Sequence, residues 1–268
     1  MGTESFDWNT ALLRGIEWPL GTALVYLVTA IWLKRRYDGL DDAEKEKMKE
    51  VKPPGQDPLR GIQGAHNMVI CLWSAAMFIS TAWSVAERAV EEKSMLWFVC
   101  EHPTTQVKGA LYWNSYVYYL SKYYELIDTY LALLRGRPPP SFKMHIYHHS
   151  VVLFMTWFWM ESAQSMQFGG LLFNTFVHVI MYYYFYLRTK GIRVWWKNWI
   201  TRLQIIQFVF SFCVMALWVW EIAVNKRECA GFPQTLFNVA FNASLLYLFL
   251  GVLRTNTKNK NKNNKKSE

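Results

Sequence analysis

The chain has 268 residues, 52% of them hydrophobic and 17% aromatic, and its formal net charge of +9 sits in a few short blocks. That pattern excludes a soluble domain. It also argues against a nucleic-acid partner, because no compact domain carries the basic excess, which reads instead as membrane topology and contact with anionic head groups.

Residues 1–17 are acidic and lack a basic stretch before an apolar core, so no cleavable signal peptide is expected and the first span serves as the insertion signal. A membrane helix needs roughly 17 to 25 apolar residues. The sequence predicts seven such spans, at 18–33, 62–83, 110–134, 144–160, 168–187, 200–220 and 232–253. Mean hydropathy is nevertheless near zero, because of polar loops and polar residues inside the spans. "DDAEKEKMKEVKPPGQDP" (41–58) is a charged loop broken by Pro53, Pro54 and Pro58, and "RGRPPPS" (135–141) is a tight connector. Residues 1–253 thus read as one seven-span, all-α domain, and 254–268 as a disordered basic tail.

Charge sets the orientation. Loops 34–61, 135–143 and 188–199, with the tail, hold 21 of the 29 Lys and Arg, which puts them and the C-terminus in the cytosol. Cys100 and Cys229 fall in loops on the opposite side, where a disulfide persists, so a bridge between them is expected; Cys71 and Cys213 lie within spans. Lys265 and Lys266 resemble the cytosolic dilysine signal for retrieval to the endoplasmic reticulum. Asn242 heads a glycosylation triplet, but inside the seventh span, and is discounted.

Ionisable groups in hydrocarbon cost roughly 2.5 kcal/mol or more and are functional candidates by default. In the third span "KYYELIDTY" puts Lys122, Glu125 and Thr129 on one face with Asp128 beside them. The fourth carries His145, His148 and His149, three imidazoles at helical spacing. The fifth stacks Asn174, His178, Met181 and Tyr182, and the sixth has Thr201, Gln204 and Gln207. At about 1.5 Å per residue, His148 lies about 6 Å from the cytosolic end of its helix, the glutamines about 6 to 10 Å, and Glu125 and His178 about 13 Å. All converge on the cytosolic half of one bundle, as a polar chamber continued by an apolar tunnel. That shape suits a substrate with a charged head and a long hydrocarbon tail.

These four clusters, in this order, resemble the motifs of the ELO family of very-long-chain fatty acid elongases: KxxExxDT at 122–129, HxxHH at 145–149, NxxxHxxMY at 174–182 and TxxQxxQ at 201–207. In one departure, the family's tyrosine pair after the methionine reads Tyr183, Tyr184, Phe185 here. The resemblance is strong over residues 110–210. It implies seven helices, six of them enclosing a substrate tunnel, in the endoplasmic reticulum membrane. The implied activity is condensation of a long-chain acyl-CoA with malonyl-CoA to a 3-oxoacyl-CoA two carbons longer, with release of CO2 and CoA. By resemblance His148 takes the acyl group as an acyl-imidazole, a role open to a neutral imidazole without a separate base. Asn174 and His178 would then donate to the enolate oxygen. His145 and His149 orient His148 or bind substrate, and Lys122, Glu125 and Asp128 form one buried ion-pair network that sets helix packing. Tyr182, Gln204 and Gln207 line the substrate site.

Lys190, Arg193, Lys197 and Arg254 sit on the cytosolic rim, where CoA phosphates would dock. His66 and His102 read as structural or surface residues. No cofactor or metal is expected. A di-iron desaturase or hydroxylase also uses HxxHH boxes, but six histidines in all, two of them away from the cluster, are too few for it. A seven-helix receptor or transporter explains the span count alone. Expected partners are the two CoA thioesters, the bilayer, other enzymes of the elongation cycle and a second copy of the chain. Chain-length and unsaturation preference follow from no sequence rule.

Overall fold

The computed structural model describes residues 5–50 and 57–264, all helix, turn and loop apart from an isolated β-bridge between Asp7 and Lys108. A 3-10 turn, Trp8–Thr10, precedes α1 (Glu17–Asp38), α2 (Asp42–Lys49), α3 (Pro58–Glu91), α4 (Leu96–Val99), α5 (Gly109–Glu125), α6 (Ile127–Leu134), α7 (Phe142–Glu161), α8 (Gln167–Thr189), α9 (Lys197–Ala223) and α10 (Phe232–Asn264). Every expected span lies on one of these helices or, for the third, on two. Among the described residues three helices, α3, α8 and α9, are long and apolar enough to cross a membrane by length and composition.

Local chemistry explains the boundaries. Asp41 caps α2 through a reciprocal box with Glu44, so the charged loop contains a short helix that composition does not announce. Pro58 opens α3 behind the Asp57 cap, where its missing N–H costs nothing. The third predicted span, continuous from 110 to 134 in the sequence reading, is instead broken at Leu126, where the Leu126 and Thr129 amides donate to carbonyls three residues back, a 3-10 tightening. α10 continues through Asn264 and so overruns the boundary expected at 253. Lys265 and Lys266 lie outside the described residues.

The helices close a ring in the order α3, α8, α9, α10, α7 and α5, each packed on the next, with α1 outside it against α7 and α6. Loops tie the two ends. At one end Arg135 donates to Gln63 and pairs with Asp57 at 3.4 Å, Arg137 donates to the Lys49 carbonyl, and Arg60 donates to that of Thr189. At the other end Cys100 and Cys229 form the expected disulfide. Beside it the buried Glu101 accepts a bidentate pair from Arg88 at 2.6 and 2.8 Å and a hydroxyl from Tyr112. Its backbone joins Ser165 and Ala230. Asp7, Lys108, Trp8 and Glu161 knit the N-terminal segment to that same end.

Candidate active site

A cavity of about 420 Å³ runs through the ring, lined by α5, α6, α7, α8, α9 and α10. Its wall on α9 reaches from Lys197 to Met215, about 27 Å of helix at roughly 1.5 Å per residue. One end gathers Ser141, His145, Thr201, Gln204 and Lys197; the other is closed by Met155, Trp159, Met166, Gly169, Gly170 and Met215. The polar end is that of the basic loops, and the apolar end that of the disulfide.

All three histidines of α7 line this cavity, with Asn174, His178 and Tyr182 of α8. His148 is held by packing: its ring stacks on Phe241 at 6.0 Å and 15°, and His149 abuts it edge-on at 5.4 Å. Its Nδ1 is buried without a hydrogen-bond partner, which leaves Nε2 as the nitrogen available to a ligand. His145 is tied to Thr129 at 2.8 Å, and Thr129 in turn to Tyr26 of α1 at 2.7 Å. His149 is buried between the rings of His145 and Tyr26.

Across from them Lys122 donates to Glu125 at 2.7 Å and to Asn174 Oδ1 at 3.3 Å. The Glu125 carboxylate also faces His178 Nδ1 at 3.5 Å. Both members of this pair are almost completely buried, so their mutual charge is what makes either tolerable there. Glu125 and His178, placed at equal depth by counting residues along two helices that run the same way, do meet.

Two expectations require correction. Asp128 does not join Lys122 and Glu125 in one network. The turn at Leu126 rotates it off that face, so it accepts from Tyr182 and lies 2.7 Å from His66 Nε2 on α3. Of the four rim cations only Lys197 lines the cavity; Lys190, Arg193 and Arg254 are exposed away from it, and Lys190 lies over the Tyr186 ring. Gln204 and Gln207 both line it, and Gln204 contacts the Met181 sulfur.

His66, read as a structural or surface residue, is buried and hydrogen-bonded to Asp128 outside the cavity lining. Sequence reasoning passed over one member of the site. Tyr118 donates to Asn174 Oδ1 at 2.8 Å and sits one helical turn before Lys122, where i, i+4 spacing puts it on the same face. His102, by contrast, is exposed and bonded to Thr104. Among the described residues no group of three or more His, Cys, Asp or Glu is arranged to hold a metal.

The sequence profile of the ELO family, described as the GNS1/SUR4 family, matches residues 11–265. A Dictyostelium discoideum protein provisionally named a fatty acid elongase is 36% identical over 192 residues, 71% of this chain and 64% of that protein. Fatty acid elongase A of the same organism is 30% identical over 252 residues, 93% of this chain and 85% of that one. Very long chain fatty acid elongase 5 of Tachysurus fulvidraco is 28% identical over 249 residues, 86% and 72% of the two chains.

Proposed function

This chain belongs to the ELO (GNS1/SUR4) family of fatty acid elongases, and on that premise we propose that it is the condensing enzyme of fatty acid elongation. It joins a long-chain acyl-CoA to malonyl-CoA and releases a 3-oxoacyl-CoA two carbons longer, CO2 and CoA. The observation that carries this reading is the single cavity that brings His148, Asn174 and His178 together between a polar mouth and a long apolar end. A charged thioester head fits the mouth and an alkyl chain fits the rest, which makes the cavity an acyl tunnel.

His148 Nε2 attacks the thioester carbonyl. The N–C bond forms, the C–S bond breaks, and CoA leaves as a thiolate that is protonated at the wet mouth. Malonyl-CoA then loses CO2, and the electron pair of the broken C–C bond becomes an enolate. Its carbon attacks the acyl carbonyl, and the acyl–nitrogen bond breaks to return the imidazole. Asn174 and His178 donate to the enolate oxygen in a site where water does not compete. Lys197 at the mouth neutralises CoA phosphates.

In this reading the seven helical units span the endoplasmic reticulum membrane with the basic end in the cytosol. The disulfide end lies in the lumen, and Lys265 and Lys266 serve as the retrieval signal. A second copy of the chain and the other elongation-cycle enzymes are its protein partners. Incubating purified protein with a long-chain acyl-CoA alone tests the scheme by mass spectrometry. One acyl mass on the peptide containing His148, discharged by malonyl-CoA into a 3-oxoacyl product, is the expected result. Turnover only in a ternary complex, with no adduct, would instead favour direct attack on bound acyl-CoA.

A further inference from the structure

We infer that Tyr118 is a positioning residue for the condensation step, holding the Asn174 amide with its NH2 group turned to the cavity. This rests on the reading of Asn174 as a donor to the enolate. An Asn side chain has an acceptor end and a donor end of nearly equal size, and its partners decide which way it faces. Lys122 can only donate, so the atom of Asn174 that it meets at 3.3 Å must be the oxygen. The Tyr118 hydroxyl, at 2.8 Å from the same oxygen, therefore donates as well. The two donors occupy both lone pairs of Oδ1. Asn174 is half-buried and lines the cavity, so its Nδ2 is left to face whatever occupies that space.

Tyr118 is itself held through its ring. The Lys122 ammonium lies 4.1 Å from its ring centroid, and the Trp159 ring is stacked on it, offset, at 5.6 Å and 10°. Both contacts restrain the ring. The three N–H bonds of Lys122 are thereby assigned, to Glu125, to Asn174 and to the Tyr118 ring. With Tyr118 gone, Lys122 alone holds the amide, through the longer of the two hydrogen bonds, and the donor end is free to swing. The loss falls on the step that generates the enolate and spares the step that acylates His148.

The test is Tyr118→Phe in the full-length protein, which removes one oxygen and keeps the ring with its Lys122 and Trp159 contacts. The measurements are the rate of acyl-adduct formation from acyl-CoA alone, steady-state kinetics with both substrates, and thermal unfolding. Adduct formation and KM for both thioesters should stay at the parent values while kcat falls roughly tenfold. That is a fraction of the loss of about 10² to 10³ expected for Asn174→Ala, which removes the donor outright. Combined with Asn174→Ala, the Tyr118→Phe change should cost nothing further, because the two act through one amide. An unchanged kcat in Tyr118→Phe beside an impaired Asn174→Ala overturns the inference and leaves the proposed function standing. So do losses that multiply in the double variant, or an adduct rate that falls with kcat. A full kcat in Asn174→Ala overturns both.

Discussion

At the scale of single residues the site works through burial and pairing. His148 presents one nitrogen to the cavity and keeps the other sealed, and stacking holds its ring where no hydrogen bond does. His148→Ala should abolish condensation while expression and membrane insertion stay at parent levels, as read by malonyl incorporation in isolated membranes. Lys122 and Glu125 follow a different logic, because a buried charge stripped of its partner costs about 3 to 5 kcal/mol, whereas removing both together is often nearly neutral. Glu125→Gln should therefore lower thermal stability in detergent by about that amount. Lys122→Met with Glu125→Leu should recover most of it without restoring activity, since Lys122 also orients Asn174. A double variant as unstable as the single one would show that the pair does more than balance charge.

At the scale of elements the closed end of the cavity is set by one close helix approach. A Cβ at Gly170 of α8 would lie 3.1 Å from the far edge of the Trp159 ring of α7, and both residues line the cavity there. Gly170→Leu should fill that end and shift the product profile to shorter chains by at least one elongation cycle. The measurement is fatty acid profiling in an elongase-deficient host fed precursors of several lengths; an unaltered profile would place the chain terminus elsewhere. The loops of the disulfide end hold α3 to the α4 and α9–α10 connections through Arg88 and Glu101. Glu101→Gln leaves the Arg88 guanidinium, 20% exposed, with Glu92 as its remaining carboxylate partner. A loss of about 2 to 3 kcal/mol is expected there, with acyl transfer in the folded fraction unchanged.

At the scale of the whole molecule, the basic loops gather at one end of the ring and the disulfide at the other. That polarity is the basis of the proposed orientation. A C-terminal epitope should be cleaved by protease added to sealed microsomes, and a thiol-reactive probe confined outside them should not reach Cys100 or Cys229 even after mild reduction. Protection of the epitope would reverse the orientation.

Six of the seven predicted spans are single helices in the structure, because each is a long apolar run ended by charge, proline or glycine, and such signals are local. The polar clusters were legible for the same reason: spacing along one helix fixes which side chains share a face, and counting residues put Glu125 and His178 at one depth. What the sequence could not contain was the partner across a gap. Whether Asp128 pairs with Lys122 six residues away or with His66 on α3 depends on a turn at Leu126 that no proline or glycine announces. Likewise the role of Tyr118 appears only when α8 brings Asn174 and α7 brings Trp159 against it. Local chemistry wrote the helices and their polar stripes, while the packing of one helix on the next chose which stripes touch, since contact energies between distant segments exist only once the chain has closed.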